Sequence, residues 1–439
     1  MIKNLARRGL NTVRRVRSRL AYESHVRDIS GLNLDSEQNV LILTVDCLRN
    51  DRISRTGYER ETTPFLDDME SYTPAVAAAP WTFSSVPSIL TGYYPHEHGA
   101  VYSNDSSRNQ DLNNPPNGVR EDVRTLAELL AASGYETRFD TAIVTAALPI
   151  RGRFKTTNIH HQADATELLS GMAEWWNTTS GPKFGYAQLG DLHEPLHRPG
   201  FEPFGKIPDV QGIDGWRFED GLIEDPEFDQ YRDARSLLYD TLVRYVDREI
   251  ERVLDELTEI EDTIVVVTSD HGEEFWEYSE FEQEHFDDPR GNAGVGHGHA
   301  LVPPVIEVPV VTTIEDVESN SRASTIDIVP TILHELGAVD EHRTSGMPLQ
   351  KGGQSDPVLS QEIAYGPNQI SITDGDDHLI YLPTDDRSIL IDFLTGEQQT
   401  NRDRQQELLE HIPDQKVTGS EVGLSQGVQK QLSDLGYTE

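Results

Sequence analysis

The 439-residue chain carries 76 acidic against 37 basic residues, a formal charge of −39, with 36% hydrophobic residues and one cysteine. That charge excludes nucleic acid as a partner and reads as the acidic surface of a halophilic protein, in salt that screens the self-repulsion. A lone cysteine excludes an intrachain disulfide, and the length predicts one large domain with a smaller appendage.

Residues 1–37 read as a basic N-terminal segment. Lys3, Arg7, Arg8, Arg14, Arg15, Arg17 and Arg19 fall among the first twenty residues with no acid, and Ile2, Leu5, Leu10, Val13, Val16 and Leu20 recur every three to five positions. The pattern predicts an imperfect amphipathic helix, which can make a peripheral contact with an anionic membrane surface through residues 1–20 or dock on the protein's own acidic body. No apolar run follows the arginine pairs, so export is not expected and a cytoplasmic location is.

The catalytic domain is expected over 38–350. Asn39 to Asp46 is an apolar β-run ending in an acid, and Asp262 to Glu273, through Ser269-Asp270-His271, repeats that design. Both read as buried parallel strands, which present ligands at their carboxyl ends. Thr82, Ser84 and Ser85 precede an apolar helical run, where free N–H groups and the positive end of the helix dipole favour an anion, although such hydroxyls are more often plain caps. Two carboxylates, an imidazole and a hydroxyl brought together would form a hard-cation site able to deprotonate the hydroxyl. Cys47, directly after Asp46, reads as a small buried filler rather than a thiolate ligand.

Tyr102–Gly118, rich in Asn, Asp, Ser and Pro, reads as an active-site loop and Val123–Ser133 as a helix stopped by Gly134. Phe184–Leu189 is a predicted strand running into His193, and Phe201–Gln230 a Pro- and acid-rich insertion at the pocket rim. Tyr231–Glu259 is a predicted long helix with Leu238, Leu242, Tyr245, Val246, Ile250, Val253 and Leu257 on its core face. The acids Glu273, Glu274, Glu277, Glu280, Glu282, Glu284 and Asp287 lie in an aperiodic stretch that could hold a cation but reads first as a solvated loop. His297 and His299 follow it, flanking Gly298. Thr331–Leu336 is a predicted helix, Gly346–Pro357 a linker, and 351–439 a small C-terminal subdomain with short strands over Glu362–Phe393 and a polar helix beyond.

Four blocks together resemble the sulfatase branch of the alkaline phosphatase superfamily. They are Val45-Asp46-Cys47-Leu48-Arg49-Asn50-Asp51; Pro80 to Gly99; Ser269-Asp270-His271-Gly272-Glu273-Glu274; and Gly296-His297-Gly298-His299-Ala300-Leu301, running into Val308-Pro309. The resemblance spans about residues 38 to 439 and implies an alkaline-phosphatase-like α/β/α sandwich with a mostly parallel central sheet and a small C-terminal α+β subdomain. Family sulfatases carry C-x-P-S-R ahead of L-T-G. Counting back from Thr91-Gly92 puts Thr82 at the modified cysteine, Ser84 at the proline, Ser85 at the serine and Val86 at the arginine. Threonine cannot become formylglycine, so that cofactor is not expected. In the same superfamily a threonine here is the nucleophile of phosphodiesterases and of phosphoglycerol or phosphoethanolamine transferases.

The resemblance therefore implies that Asp46, Thr82, Asp270 and His271 hold a divalent ion (Mn²⁺, Mg²⁺, Ca²⁺ or Zn²⁺) and that Thr82 attacks. His193, in a block resembling the family's H-x-P, and His297, with His299 in reserve, would hold the anion or assist the leaving group. The expected function is a metal-dependent hydrolase or transferase of anionic esters on a glycan, lipid head group or small molecule, phosphate before sulfate. The alternatives are sulfatase activity with an unmodified threonine, and a degenerate member that binds anionic glycans or lipids.

Overall fold

A computed structural model describes residues 22–103, 108–109, 116–219, 224–317, 322–352, 357–414 and 416–422. The basic segment 1–20 and most of the predicted loop between Tyr102 and Gly118 lie outside the described residues. Among the described residues no helix is long and apolar enough to cross a membrane.

Eight strands form the central sheet, in the spatial order Ala323–Ser324, Ser71–Val76, Glu307–Thr312, Thr263–Thr268, Asn39–Val45, Lys183–Leu189, Glu136–Thr141 and Thr156–Ile159. Every neighbouring pair is parallel except the two made by Glu307–Thr312, which runs antiparallel to both its neighbours. Asn39–Val45 and Thr263–Thr268 are buried along their whole length, as near-continuous apolar runs require when both faces are covered. Side chains alternate between faces, so Val40 and Ile42 join one core and Leu41, Leu43 and Val45 the other. The first core takes in Ile89 and Leu90 of the Thr82–Thr91 helix; the second takes in Ala165–Thr178 and the long helix Phe228–Glu256. This is the expected α/β/α sandwich.

The long helix begins about one turn before its predicted span and ends as much earlier, where Leu257 turns to an extended conformation (φ −76°, ψ 133°). Its whole predicted stripe is buried. The predicted Val123–Ser133 helix starts later, at Leu126, because Thr125 and Glu128 close a capping box there. Beyond the sandwich, Val358–Gln361, Ile370–Asp374, Asp377–Leu382, Arg387–Asp392 and Gln398–Gln399 make a five-stranded antiparallel sheet followed by the helix Arg402–Leu409. This subdomain is fastened to the nucleophile region where the Trp81 indole donates to the Glu362 carbonyl at 2.5 Å.

Candidate active site

Strand register delivers the two acids. Thr44 pairs with Thr268, and Asp46 and Asp270, each two residues further on, leave neighbouring strand ends with donor oxygens within 4.8 Å of each other. Both carboxylates are fully buried. After Asp46 the chain leaves the sheet through Cys47, which holds a left-handed φ of 63°. The turn is pinned by the buried Tyr239 hydroxyl, which donates to the Cys47 carbonyl at 2.6 Å and accepts from the Arg49 amide at 3.1 Å. After His271 the chain passes so close to the Pro303–Ile306 turn that a Cβ on Gly272 would lie 2.1 Å from the Pro304 carbonyl oxygen. Only glycine fits there.

Thr82 is the first residue of its helix, and no side chain caps that end. The capping role therefore does not account for the hydroxyl. Instead Thr82 Oγ1 donates toward Asp46 Oδ2 at 3.4 Å and lies 3.2 Å from His271 Nε2. The other two hydroxyls are engaged elsewhere: Ser84 donates to the Ala100 carbonyl at 2.8 Å and Ser85 to the Asp270 carbonyl at 2.6 Å. Of the three hydroxyls singled out in the sequence, Thr82 alone reaches the acids.

His271 Nδ1 lies 2.9 Å from the Gly272 carbonyl, which can only accept, so that nitrogen carries a proton and Nε2 faces the carboxylates. Nε2 sits 3.5 Å from Asp46 Oδ1 and 3.6 Å from Asp270 Oδ2. Burial alone would lower the His271 pKa, but Asp270 and then Asp46 outweigh it and raise it. Burial, with the adjacent Asp46 charge, pushes Asp270 up. Asp270 Oδ2 is buried with no hydrogen-bond partner among the described residues. The pocket thus holds more negative charge than the protein neutralises, as suits a cation site. Asp46, Asp270 and His271 offer donor atoms all within 4.8 Å of one another.

A row of imidazoles leads outward from this centre. The His271 and His297 rings are 4.3 Å apart between centroids, and His297 and His193 5.3 Å. Burial, followed by the neighbouring His271, lowers the His297 pKa to about 4. Its Nδ1 lies 3.1 Å from Glu273 Oε1. His193 Nδ1 meets the Glu194 carbonyl at 2.6 Å, fixing its proton on that nitrogen and leaving Nε2 as the other face of the ring.

His299 does not join this row. It lies in a separate buried group with Glu274 and Glu282, so the expectation that it stands in reserve for His297 is corrected. Alternation along an extended chain would put His297 and His299 on the same face, and Gly298, at φ +78° between them, turns the chain so that they part. The solvated acidic loop is corrected too. Glu277, Glu280, Glu284 and Asp287 are exposed, but Glu273, Glu274 and Glu282 are at most 4% exposed, held by a short ribbon (Glu274–Phe275 with Val295–Gly296) and the helix Ser279–His285. Cys47 is a filler with a polar edge. Burial, then Glu273, Asp46 and Asp270, raise its pKa, so it remains a thiol donating to Asp46 Oδ1 at 3.1 Å. Sequence reasoning read Glu273 as an acid of a solvated loop and Ser85 as one of three hydroxyls ahead of the helix, although both stand inside the quoted blocks. Each acts on a neighbour, and the partner is visible only once the blocks are folded together.

The sulfatase family model matches residues 38–338. A relative from Haloferax volcanii, named a low-salt glycan biosynthesis sulfotransferase, is 25% identical over 338 residues, 71% of this chain and 65% of its own length. The chain thus spans just under two thirds of the curated relative it matches. Among solved structures, the phosphonate monoester hydrolase of Agrobacterium radiobacter superposes with a TM-score of 0.59 at 16% identity, over 82% of this chain and 90% of that one. A protein in complex with its substrate D-glucosamine-2-N,6-O-disulfate does so with a TM-score of 0.61 at 15% identity, over 90% and 98%. With blocks, fold and family model in agreement, the chain belongs to the sulfatase family.

Proposed function

We propose that the protein is a metal-dependent hydrolase or transferase of anionic esters with Thr82 as nucleophile, acting on phosphate esters before sulfate esters. The carrying observation is the position of Thr82 Oγ1, 3.2 Å from His271 Nε2 and 3.4 Å from Asp46 Oδ2 at the start of its helix. Donors around one ion with bonds of about 2.0–2.1 Å stand roughly 3.3 Å apart in a tetrahedron. The spacings of His271 Nε2 from Thr82 Oγ1, Asp46 Oδ1 and Asp270 Oδ2, 3.2 to 3.6 Å, are near that edge, and the unpartnered Asp270 Oδ2 is a free donor. Asp46, Asp270 and His271 would hold the ion, with Thr82 beside it. When bound, it supplies positive charge that lowers the hydroxyl pKa and stabilises the ester oxyanion.

The remaining work falls to side chains and backbone. Asp46 receives the hydroxyl hydrogen, and the helix N-terminus favours charge on Oγ1 and on the ester. The new bond forms between Oγ1 and phosphorus while the bond to the leaving oxygen breaks, and that oxygen takes a proton from His193. A threonyl phosphate can then be hydrolysed or passed to an acceptor alcohol by in-line attack. A sulfated threonine lacks the exit open to a hydrated aldehyde, which expels sulfate by elimination, and this favours phosphorus.

A second reading is sulfuryl transfer or hydrolysis on a glycan, favoured by the name of the Haloferax relative. Turnover of an aryl phosphodiester and an aryl sulfate in molar salt separates the two. Phosphodiester turnover that exceeds sulfate turnover and is lost in Thr82→Ala is expected, whereas dominant Thr82-dependent sulfatase turnover would install the second reading.

A further inference from the structure

Behind the active site lies a second buried set of metal-type donors that this function does not use. Glu274 follows Glu273 on the ribbon, and His299 follows His297 by two residues on the segment leaving its other strand. Glu273 meets His297 on the active-site side, and Glu274 meets His299 on the other. Glu282, on the helix Ser279–His285, completes the group.

The geometry is that of a built site. Glu274 is 0%, Glu282 4% and His299 4% exposed. Each glutamate has one oxygen anchored by a backbone amide: Glu274 Oε1 accepts from Tyr278 N at 2.7 Å and Glu282 Oε2 from Gly294 N at 2.6 Å. The other oxygens, Glu274 Oε2 and Glu282 Oε1, and both ring nitrogens of His299 have no hydrogen-bond partner among the described residues. His299 Nε2 nevertheless lies 3.5 Å from Glu274 Oε2 and 3.1 Å from Glu282 Oε1. Three buried polar atoms at that separation without hydrogen bonds, Glu274 Oε2, Glu282 Oε1 and His299 Nε2, are costly unless something sits among them. The nearby cation, Arg290, is paired to Asp288 at 2.6 Å.

We propose that Glu274, Glu282 and His299 bind a second divalent metal ion of the zinc type, which clamps the ribbon carrying Glu273 and fixes the segment carrying His297. The nitrogen–oxygen spacings bracket the roughly 3.3 Å edge of a tetrahedron with bonds of about 2.0–2.1 Å. Two carboxylates and a neutral imidazole around a dication leave no net buried charge. The amide anchors orient the ligands as outer partners do in protein metal sites. Two protein oxygens are too few for calcium, which takes about 6–8.

The test uses the full chain carrying Asp46→Asn, Asp270→Asn and His271→Gln, which removes the acids and the imidazole of the active site, stripped with chelator in molar salt and titrated with Co²⁺. Uptake of one equivalent with the intense visible band of a tetrahedral ion is expected, displaced by Zn²⁺ and not by excess Ca²⁺. Adding His299→Gln should abolish it, and Glu274→Gln, whose amide oxygen can still accept from Tyr278 N, serves if the first variant fails to fold. No uptake by the parent, or uptake surviving in a folded His299→Gln or Glu274→Gln chain, overturns the proposal. Because neither readout is turnover, the result is independent of the ester chemistry proposed for Thr82.

Discussion

Ser85 Oγ donates to the main-chain carbonyl of Asp270 at 2.6 Å, so the helix that begins at Thr82 is tied to the strand end that supplies the second acid. The serine holds the nucleophile and the acid in one frame without touching the reacting atoms. The three hydroxyls should therefore separate cleanly. Thr82→Ala is expected to lower kcat by on the order of 10³-fold or more, as removal of a nucleophile does. Ser85→Ala should leave most turnover and cost about 0.5–1.5 kcal/mol of stability, the net value of one hydrogen bond. Ser84→Ala should behave like Ser85→Ala. Activity surviving Thr82→Ala would dismiss it as the nucleophile.

The ion requirement follows from the excess of buried negative charge around Asp270 Oδ2. Chelator should abolish turnover, and a divalent ion should restore it, with Mn²⁺, Mg²⁺, Ca²⁺ and Zn²⁺ as the series to compare. Asp46→Asn should weaken the restoring ion by more than the roughly 10–100-fold typical of outer partners, since it removes a direct donor. Turnover indifferent to chelator, in a preparation shown by elemental analysis to be metal-free, would refute the site.

Tyr239 makes a prediction about the turn at Cys47. Its hydroxyl serves a carbonyl and an amide at once, both buried, beside a non-glycine residue at φ 63°. Tyr239→Phe leaves both groups unpaired and should cost about 1–3 kcal/mol in denaturant melts. Because Asp46 directly precedes the turn, the variant should also bind the activating ion more weakly. A loss of stability with unchanged ion affinity would show that the turn does not position Asp46.

Much of this architecture is legible in the chain because the informative signals are local. Asn39–Val45 and Thr263–Thr268 announce themselves as buried strands, and the acids after them then have one place to go. The long helix is equally plain from its stripe. What the sequence hides is which neighbour a polar side chain meets. Glu273 and Glu274 are adjacent and identical, yet one faces His297 and the other His299, and only the pairing of Glu274 with Gly296 decides which. The acidic run looked like solvated loop because its four exposed acids mask three buried ones, and composition cannot tell them apart.

His98 supplies an acid-side prediction. It is fully buried after the nucleophile helix, with Nε2 3.0 Å from Ser88 Oγ and Nδ1 accepting from the Ala100 amide at 3.1 Å. An accepting Nδ1 requires the neutral ring, and burial, then the nearby His96, lower its pKa from 6.5 to about 3. The sign follows from proton counting. Between those values the unfolded chain binds a proton that the folded chain refuses, so stability falls as pH drops below about 6.5 and stops falling near 3. The steepest loss is about 1.4 kcal/mol per pH unit for one proton. Urea melts at constant molar salt between neutral pH and about pH 5 should show this slope in the wild type. His98→Gln should be less stable at neutral pH because the accepting nitrogen is disturbed, but its curve should be flatter by up to one proton. Equal slopes in the two chains would mean that acid sensitivity arises elsewhere and that His98 takes up its proton without unfolding.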